Sequence, residues 1–158
     1  MRASIGAGSG ATARQITGRP VMDQETVYGR WMAGRGPTQG RIVVETDGQV
    51  SVVSLHGEHD FSSRPRLEAL VATLLEQSRG VVIDLGETEF LNVPVLGALR
   101  RAADLAVKEH KGFAVSLPAG GSWAVRRLFE VTAAHDLFPV VDSVEEGVTL
   151  VEQPAGDR

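Results

Sequence analysis

From Arg41 onward the chain switches between two apolar spacings, and the switches predict its elements. Ile42-Val43-Val44-Glu45-Thr46 and Gln49 to His56 are rich in β-branched residues and flank Asp47-Gly48. Asp-Gly between such runs marks a two-residue hairpin turn whose central positions both take positive φ. After Gly57, Leu67, Leu70, Val71, Leu74 and Leu75 recur at the spacing of one buried helix face. Ser62 or Ser63 is the expected N-cap of that helix, and Pro65 lies in its first turn.

Val81-Val82-Ile83-Asp84-Leu85, bounded by Gly80 and Gly86, reads as a central strand buried on both faces. Glu87 to Val93 reads as a loop, and Pro94 opens a second helix carrying Leu96, Leu99, Ala103 and Ala106 inward, with Gly112 as its C-cap. A strand over Phe113 to Leu117 follows, then a short helix over Ser122 to Val131 with Leu128 and Phe129 inward. Pro139 to Val141 is a last strand segment, and Ser143 to Val151 is a closing helix with a Ser143/Glu146 capping box. The order implies an α/β fold: a mixed, four- to five-stranded sheet with an N-terminal antiparallel hairpin and about four helices packed on it.

Composition narrows the function classes. Among 158 residues there is no cysteine, which excludes thiol nucleophiles, thiolate metal sites, iron–sulfur clusters and disulfides. The net charge of −4 is unevenly spread. Residues 1–40 carry five Arg (Arg2, Arg14, Arg19, Arg30, Arg35) against Asp23 and Glu25, so they are basic, whereas the remaining eleven basic and eighteen acidic residues make the body acidic. An acidic body argues against nucleic acid as a ligand, because phosphate binding needs clustered positive charge.

Residues 1–40 show neither apolar period and read as a disordered basic tail; Met22 or Met32 are alternative starts to Met1. Gly6-Ala7-Gly8-Ser9-Gly10 is a linker rather than a phosphate loop, since no strand precedes it and no Lys-Ser/Thr pair follows. Tyr28 and Trp31 are candidates for docking on the body. Residues 152–158 read as a C-terminal tail. With no run of about 20 apolar residues and no signal core, the expectation is a cytoplasmic protein without membrane insertion.

Candidate chemistry is sparse. His56 and His59 with Asp60 lack a third ligand at helix spacing, so packing or surface roles are expected and no metal. Asp84 ends a central strand and is expected to accept backbone N–H bonds from the Gly86–Asn92 loop. No Ser-His-Asp spacing, nucleotide fingerprint or carboxylate pair stands out, so the chain reads as a non-enzyme with no cofactor.

Gly57-Glu58-His59-Asp60 with Ser63, Pro65 and Leu67 resembles the Gly-Glu-apolar-Asp…Thr-Ala-Pro-x-Leu stretch of STAS domains, the sulfate-transporter and anti-sigma-factor-antagonist fold. The resemblance continues through Val81–Leu85, Phe90-Leu91-Asn92, Leu96-Gly97-Ala98-Leu99 and Leu137 to Gly147, covering about residues 41–151. It implies an antagonist that binds an anti-sigma factor, itself a serine kinase of the histidine-kinase-like ATPase fold, and frees a sigma factor for transcription by partner switching. In the family, phosphorylation of an Asp-Ser-Ser/Thr-Gly-Leu loop ends that binding. Here the loop reads Asn92-Val93-Pro94-Val95-Leu96, and neither Val93 nor Pro94 has a hydroxyl to phosphorylate. The resemblance assigns partner contact to Glu58 and Asp60 together with Asn92, Val93, Pro94, Val95 and Leu96. A homodimer is compatible with it. The alternative is a STAS subunit or scaffold of a lipid-transport or stress-signalling assembly. Other hydroxyls near the same edge, Ser62, Ser63 and Thr88, leave room for a different switch, as do Ser4, Ser9, Thr12, Thr17 and Thr26 of the tail.

Overall fold

A computed structural model of the protein describes residues 40–153. The expectations for the basic tail, its aromatics and hydroxyls, and the residues beyond Gln153 lie outside the described residues.

Strand β1 (Arg41–Asp47) pairs antiparallel with β2 (Val50–His59), and all further pairings of the sheet are parallel. Next come a 3-10 turn (Phe61–Ser63), α1 (Arg64–Gln77), β3 (Gly80–Asp84), β4 (Thr88–Leu91) and α2 (Val93–Lys108). The chain closes with β5 (Gly112–Ser116), α3 (Trp123–Val131), a second 3-10 turn (Ala134–Asp136), β6 (Val140–Val141) and α4 (Val144–Glu152). The strand order is β1-β2-β3-β5-β6, and β4 pairs with the far end of β2. The mixed sheet and its hairpin are as expected, but β4 makes it six-stranded.

The period-2 alternation sorts the strands' side chains onto two faces. Ile42, Val44, Val53, Leu55, Val81, Ile83, Phe113 and Val115 share one core with α1 and α2. Val50, Val52, Val82 and Ala114 face α4 through Val144, Val148 and Val151. The buried face of α1 is Leu67, Leu70, Val71, Leu74 and Leu75, the five positions the periodicity selects. Phe138 adds edge-to-face contacts with Phe113 and Phe129, at centroid separations of 6.1 and 6.0 Å.

Four local expectations need correction. The hairpin loop is Gly48-Gln49, because Asp47 pairs with Val50; Gly48 alone takes a positive φ, +66°, the pattern of a type II′ turn. Helix α2 ends before Gly112. His110 takes the left-handed conformation at φ 60°, its N–H bonds to Val107 O, and Lys111 N–H bonds to Ala106 O, so a histidine occupies the place usually given to glycine in a Schellman motif. Gly112 is instead the first residue of β5, and its neighbour across the sheet is Gly80. A Cβ on either would collide with Val151, so the two glycines let α4 lie close to the sheet. Finally, α4 continues to Glu152, one residue into the expected C-terminal tail. Its Ser143 Oγ caps Glu146 N–H at 3.1 Å, while Glu146 Oε1 reaches the N–H of Asp142 rather than that of Ser143.

Candidate functional site

The carboxyl end of β2 is where the sequence-predicted residues meet. Gly57, at φ 81°, lies beside a register shift in the β2–β4 pairing, a bulge that only a glycine conformation accommodates easily. Beyond the bulge, Glu58 pairs with Phe90 and His59 with Leu91. Thr88 Oγ1 donates to Leu55 O at 2.6 Å, Gly57 N–H to Glu87 O at 3.0 Å, and Asn92 N–H to His59 O at 3.3 Å. These bonds hold the segment read as a loop against β2 and deliver Asn92 to the start of α2 beside Asp60.

His59 is fully buried. Its Nε2 lies 3.1 Å from His56 O, an acceptor only, so Nε2 carries the proton and Nδ1 accepts from Ser63 Oγ at 3.1 Å. Burial pushes its pKa down, which keeps the ring neutral. Ser63 precedes α1 but makes no side-chain cap bond. The capping carboxylate is Asp60, whose Oδ1 accepts from Ser62 N–H at 2.9 Å and from Ser62 Oγ at 2.5 Å. The Ser62 hydroxyl and then its N–H hold the Asp60 carboxyl below its ordinary pKa. His59 is thus a packing residue, and among the described residues no group of three potential ligands could hold a metal ion.

At the neighbouring element, Asn92 Oδ1 accepts from Val95 N–H at 3.3 Å and caps α2, with Pro94 tolerated in the first turn. The five loop positions divide sharply. Val93 is 59% exposed and Asn92 and Pro94 are half-buried, whereas Val95 and Leu96 belong to the core. Glu58 and Asp60 are exposed. Asp84 lies deeper, its Oδ1 accepting Gly86 N–H at 2.9 Å and its Oδ2 accepting from Ser54 Oγ at 3.2 Å, so it does tie the following turn as expected.

Sequence reasoning missed the aromatic part of this edge. Phe61 is 68% exposed in the turn after Asp60, Phe90 is 43% exposed on β4, and Trp123 is 76% exposed at the start of α3. Ser122 Oγ donates to Glu89 O at 2.8 Å, which pins the N-terminus of α3 to β4. Phe61 thus follows Asp60, Phe90 pairs with Glu58, Val93 follows Asn92, and Trp123 opens the helix pinned to the neighbouring Glu89. Such apolar exposure rimmed by carboxylates is the character of a protein-contact surface.

Residues 42–142 match the family described as "Mlab, STAS domain". An anti-sigma factor antagonist from Mycobacterium paratuberculosis is 30% identical, with a TM-score of 0.64, over 75% of this chain and 98% of that one. The chain belongs to the STAS domain family, and its fold is that of the anti-sigma factor antagonists. An anti-sigma-factor antagonist (STAS) domain protein from Planctomyces limnophilus (18% identity, TM-score 0.57, 71% of this chain and 98% of that one) shares that fold. So does a sulfate transporter family protein from Wolinella succinogenes (15% identity, TM-score 0.54, 66% and 89%). No curated protein matches the chain. No helix among the described residues is long and apolar enough to cross a membrane.

Proposed function

We propose that this protein is an anti-sigma factor antagonist, a non-enzymatic cytoplasmic binding protein whose partner is an anti-sigma factor of the serine-kinase type. The observation that carries this reading is the carboxyl edge of β2 and β4, where Phe61, Phe90 and Val93 are exposed on the segments that carry Glu58 and Asp60 or pair with them, and Trp123 is exposed on the helix tied to β4. Aromatic anchors of this kind dominate the energetics of protein interfaces, and carboxylates at their rim select a partner with basic residues. The likeness to the mycobacterial antagonist supports the choice of partner. Asn92, Val93 and Pro94 form the contact loop; Val95 and Leu96 shape it from beneath. Because that loop has no hydroxyl, phosphorylation there is not available to end the contact.

The test is co-purification of the full chain, without nucleotide, with each serine-kinase anti-sigma factor encoded in the same genome. A stoichiometric complex is expected with at least one of them, weakened about tenfold or more by Trp123→Ala, the range of an interface hot spot. Absence of a complex with every such partner overturns the reading.

A further inference from the structure

We infer that residues 28–35 of this chain dock in cis on the contact edge and compete there with the partner. The docking stands on the edge itself, and the competition rests on the antagonist reading above. The charge of the edge is unbalanced. Glu58 and Asp60 at the end of β2, and Glu87 and Glu89 at β4, are all exposed. Gly57 N–H bonds to Glu87 O at 3.0 Å, so the four carboxylates lie on two adjoining segments. Neither 57–60 nor 87–92 contains a Lys or Arg, and Arg64, the next cation in sequence, is engaged by Glu68 at 3.2 Å. With Phe61, Phe90 and Val93 exposed on the same segments, this surface suits a ligand that brings guanidinium groups and an aromatic ring together.

The chain itself supplies one. Residues 28–35 read Tyr28-Gly29-Arg30-Trp31-Met32-Ala33-Gly34-Arg35, with two aromatics, a methionine, two arginines and no acidic residue. A guanidinium pairs with carboxylates and stacks on aromatic faces, so Arg30 and Arg35 match the rim while Trp31 matches the apolar centre. Connectivity brings this segment to the right end of the sheet. Strand β1 runs antiparallel to β2 and so begins where β2 ends, with Arg41 opposite His56. A Cβ on Gly40 would lie 2.5 Å from Glu58 O and 2.8 Å from the His59 ring, so the chain enters the domain against the base of the edge. Trp31 precedes Gly40 by nine residues, a reach of up to about 30 Å. That exceeds the radius of gyration of about 13 Å for a domain of this size, so the whole edge is within range.

A segment docked there covers the surface the partner needs. Tethering presents it at a millimolar effective concentration, and against an intrinsic dissociation constant of the same order it occupies the edge about half the time. The partner's affinity is then reduced by the open fraction, about twofold.

The experiment compares amide NMR spectra of the full chain with those of the full-length variants Arg30→Glu/Arg35→Glu and Trp31→Ala. Both variants are expected to move the signals of residues 58–61 and 88–93 and to leave those of 48–50 and 107–111, at the other end of the sheet, in place. Raising NaCl from about 0.05 to about 0.5 M screens the pairing and moves the wild-type signals toward those of the charge-reversed variant. Tenfold dilution leaves the wild-type spectrum unchanged, as an intramolecular contact requires. Unmoved edge signals overturn the inference, as do shifts that vanish on dilution, which would assign the contact to a second copy of the chain. With the serine-kinase anti-sigma factor that binds the chain, the charge-reversed variant is expected to bind about twofold tighter or more. Equal or weaker binding overturns the competition while the antagonist reading stands. Failure to bind any such factor overturns the antagonist reading and the competition with it, while the amide signals alone decide the docking.

Discussion

Lowering the pH is expected to destabilise the protein through His59, and the effect follows from where the ring sits. His59 is buried, with Nε2 donating to His56 O and Nδ1 accepting from Ser63, and its pKa is lowered mainly by burial from the ordinary 6.5. The backbone carbonyls of His56 and Arg41 and the nearby Asp60 charge act in the opposite direction and offset it only in part. Between pH 6.5 and the lower native value, the unfolded chain binds a proton that the folded chain refuses. Stability is therefore complete above the unfolded value and is lost as pH falls through that window, by about 1.4 kcal/mol per pH unit at most for one group. Below the native value both states hold the proton and the loss stops. Against a typical stability of about 5–15 kcal/mol this is readily measured. Urea melts from about pH 7.5 to about pH 5 are expected to show a falling midpoint at constant m-value. In His59→Gln the protein is less stable throughout but the slope over that window flattens. An unchanged slope in His59→Gln, or a flat wild-type profile, refutes the assignment. Asp60 contributes in a separate window: its pKa is lowered, chiefly by the Ser62 hydroxyl, so the stability it supplies is lost only as pH falls below the ordinary carboxylate value of 3.8.

Three further outcomes follow from the packing. Gly80→Ala forces a methyl group into Val151 and the Gly112 backbone, and overpacking against backbone costs about 1–3 kcal/mol, visible as a lower urea midpoint. His110→Gly relieves a left-handed residue at the C-terminus of α2 and raises stability by about 1 kcal/mol in the same melt, since L side chains pay about that much for this conformation. Val93→Asp and Val95→Asp, two residues apart, have opposite readouts: the first leaves the urea midpoint within about 0.5 kcal/mol, as exposed substitutions do, but weakens partner binding, whereas the second buries an unpaired charge and costs about 3–5 kcal/mol.

The helices and core strands were legible because their signal is periodic and local. The burial of all five apolar positions of α1, and the strand at Val81 to Asp84, follow from spacing that no tertiary contact had to override. The elements misjudged are those whose conformation is set from elsewhere in the fold. Thr88 to Leu91 is a strand of four residues without an apolar alternation of its own, and it exists because Thr88 Oγ1 bonds to Leu55 O, the preceding Glu87 O accepts from Gly57 N–H, and the β2 edge pairs with it. Gly112 looks like a helix C-cap by position, but its lack of a side chain serves the approach of α4, a requirement that depends on Gly80 and Val151 and cannot be read from the local sequence.

The contact edge divides along the same line. Glu58, Asp60 and the Asn92–Leu96 loop were found by resemblance, yet spacing alone could not say that Val93 faces out while Val95 faces in; the turn of α2 after the Asn92 cap decides it. Phe61, Phe90 and Trp123 were missed because each stands on a different element, and a single exposed aromatic is unremarkable in sequence. They become a surface only once β4 is pinned to β2 and the Ser122 hydroxyl fastens α3 to Glu89. That construction makes the edge composite: Phe61 is carried on a turn capped by Asp60, Phe90 on a strand paired with β2, and Trp123 on a helix anchored by Val125 and Phe129 in the core. Each aromatic is thus placed by a separate set of contacts, which is why no one segment of the sequence announces the surface.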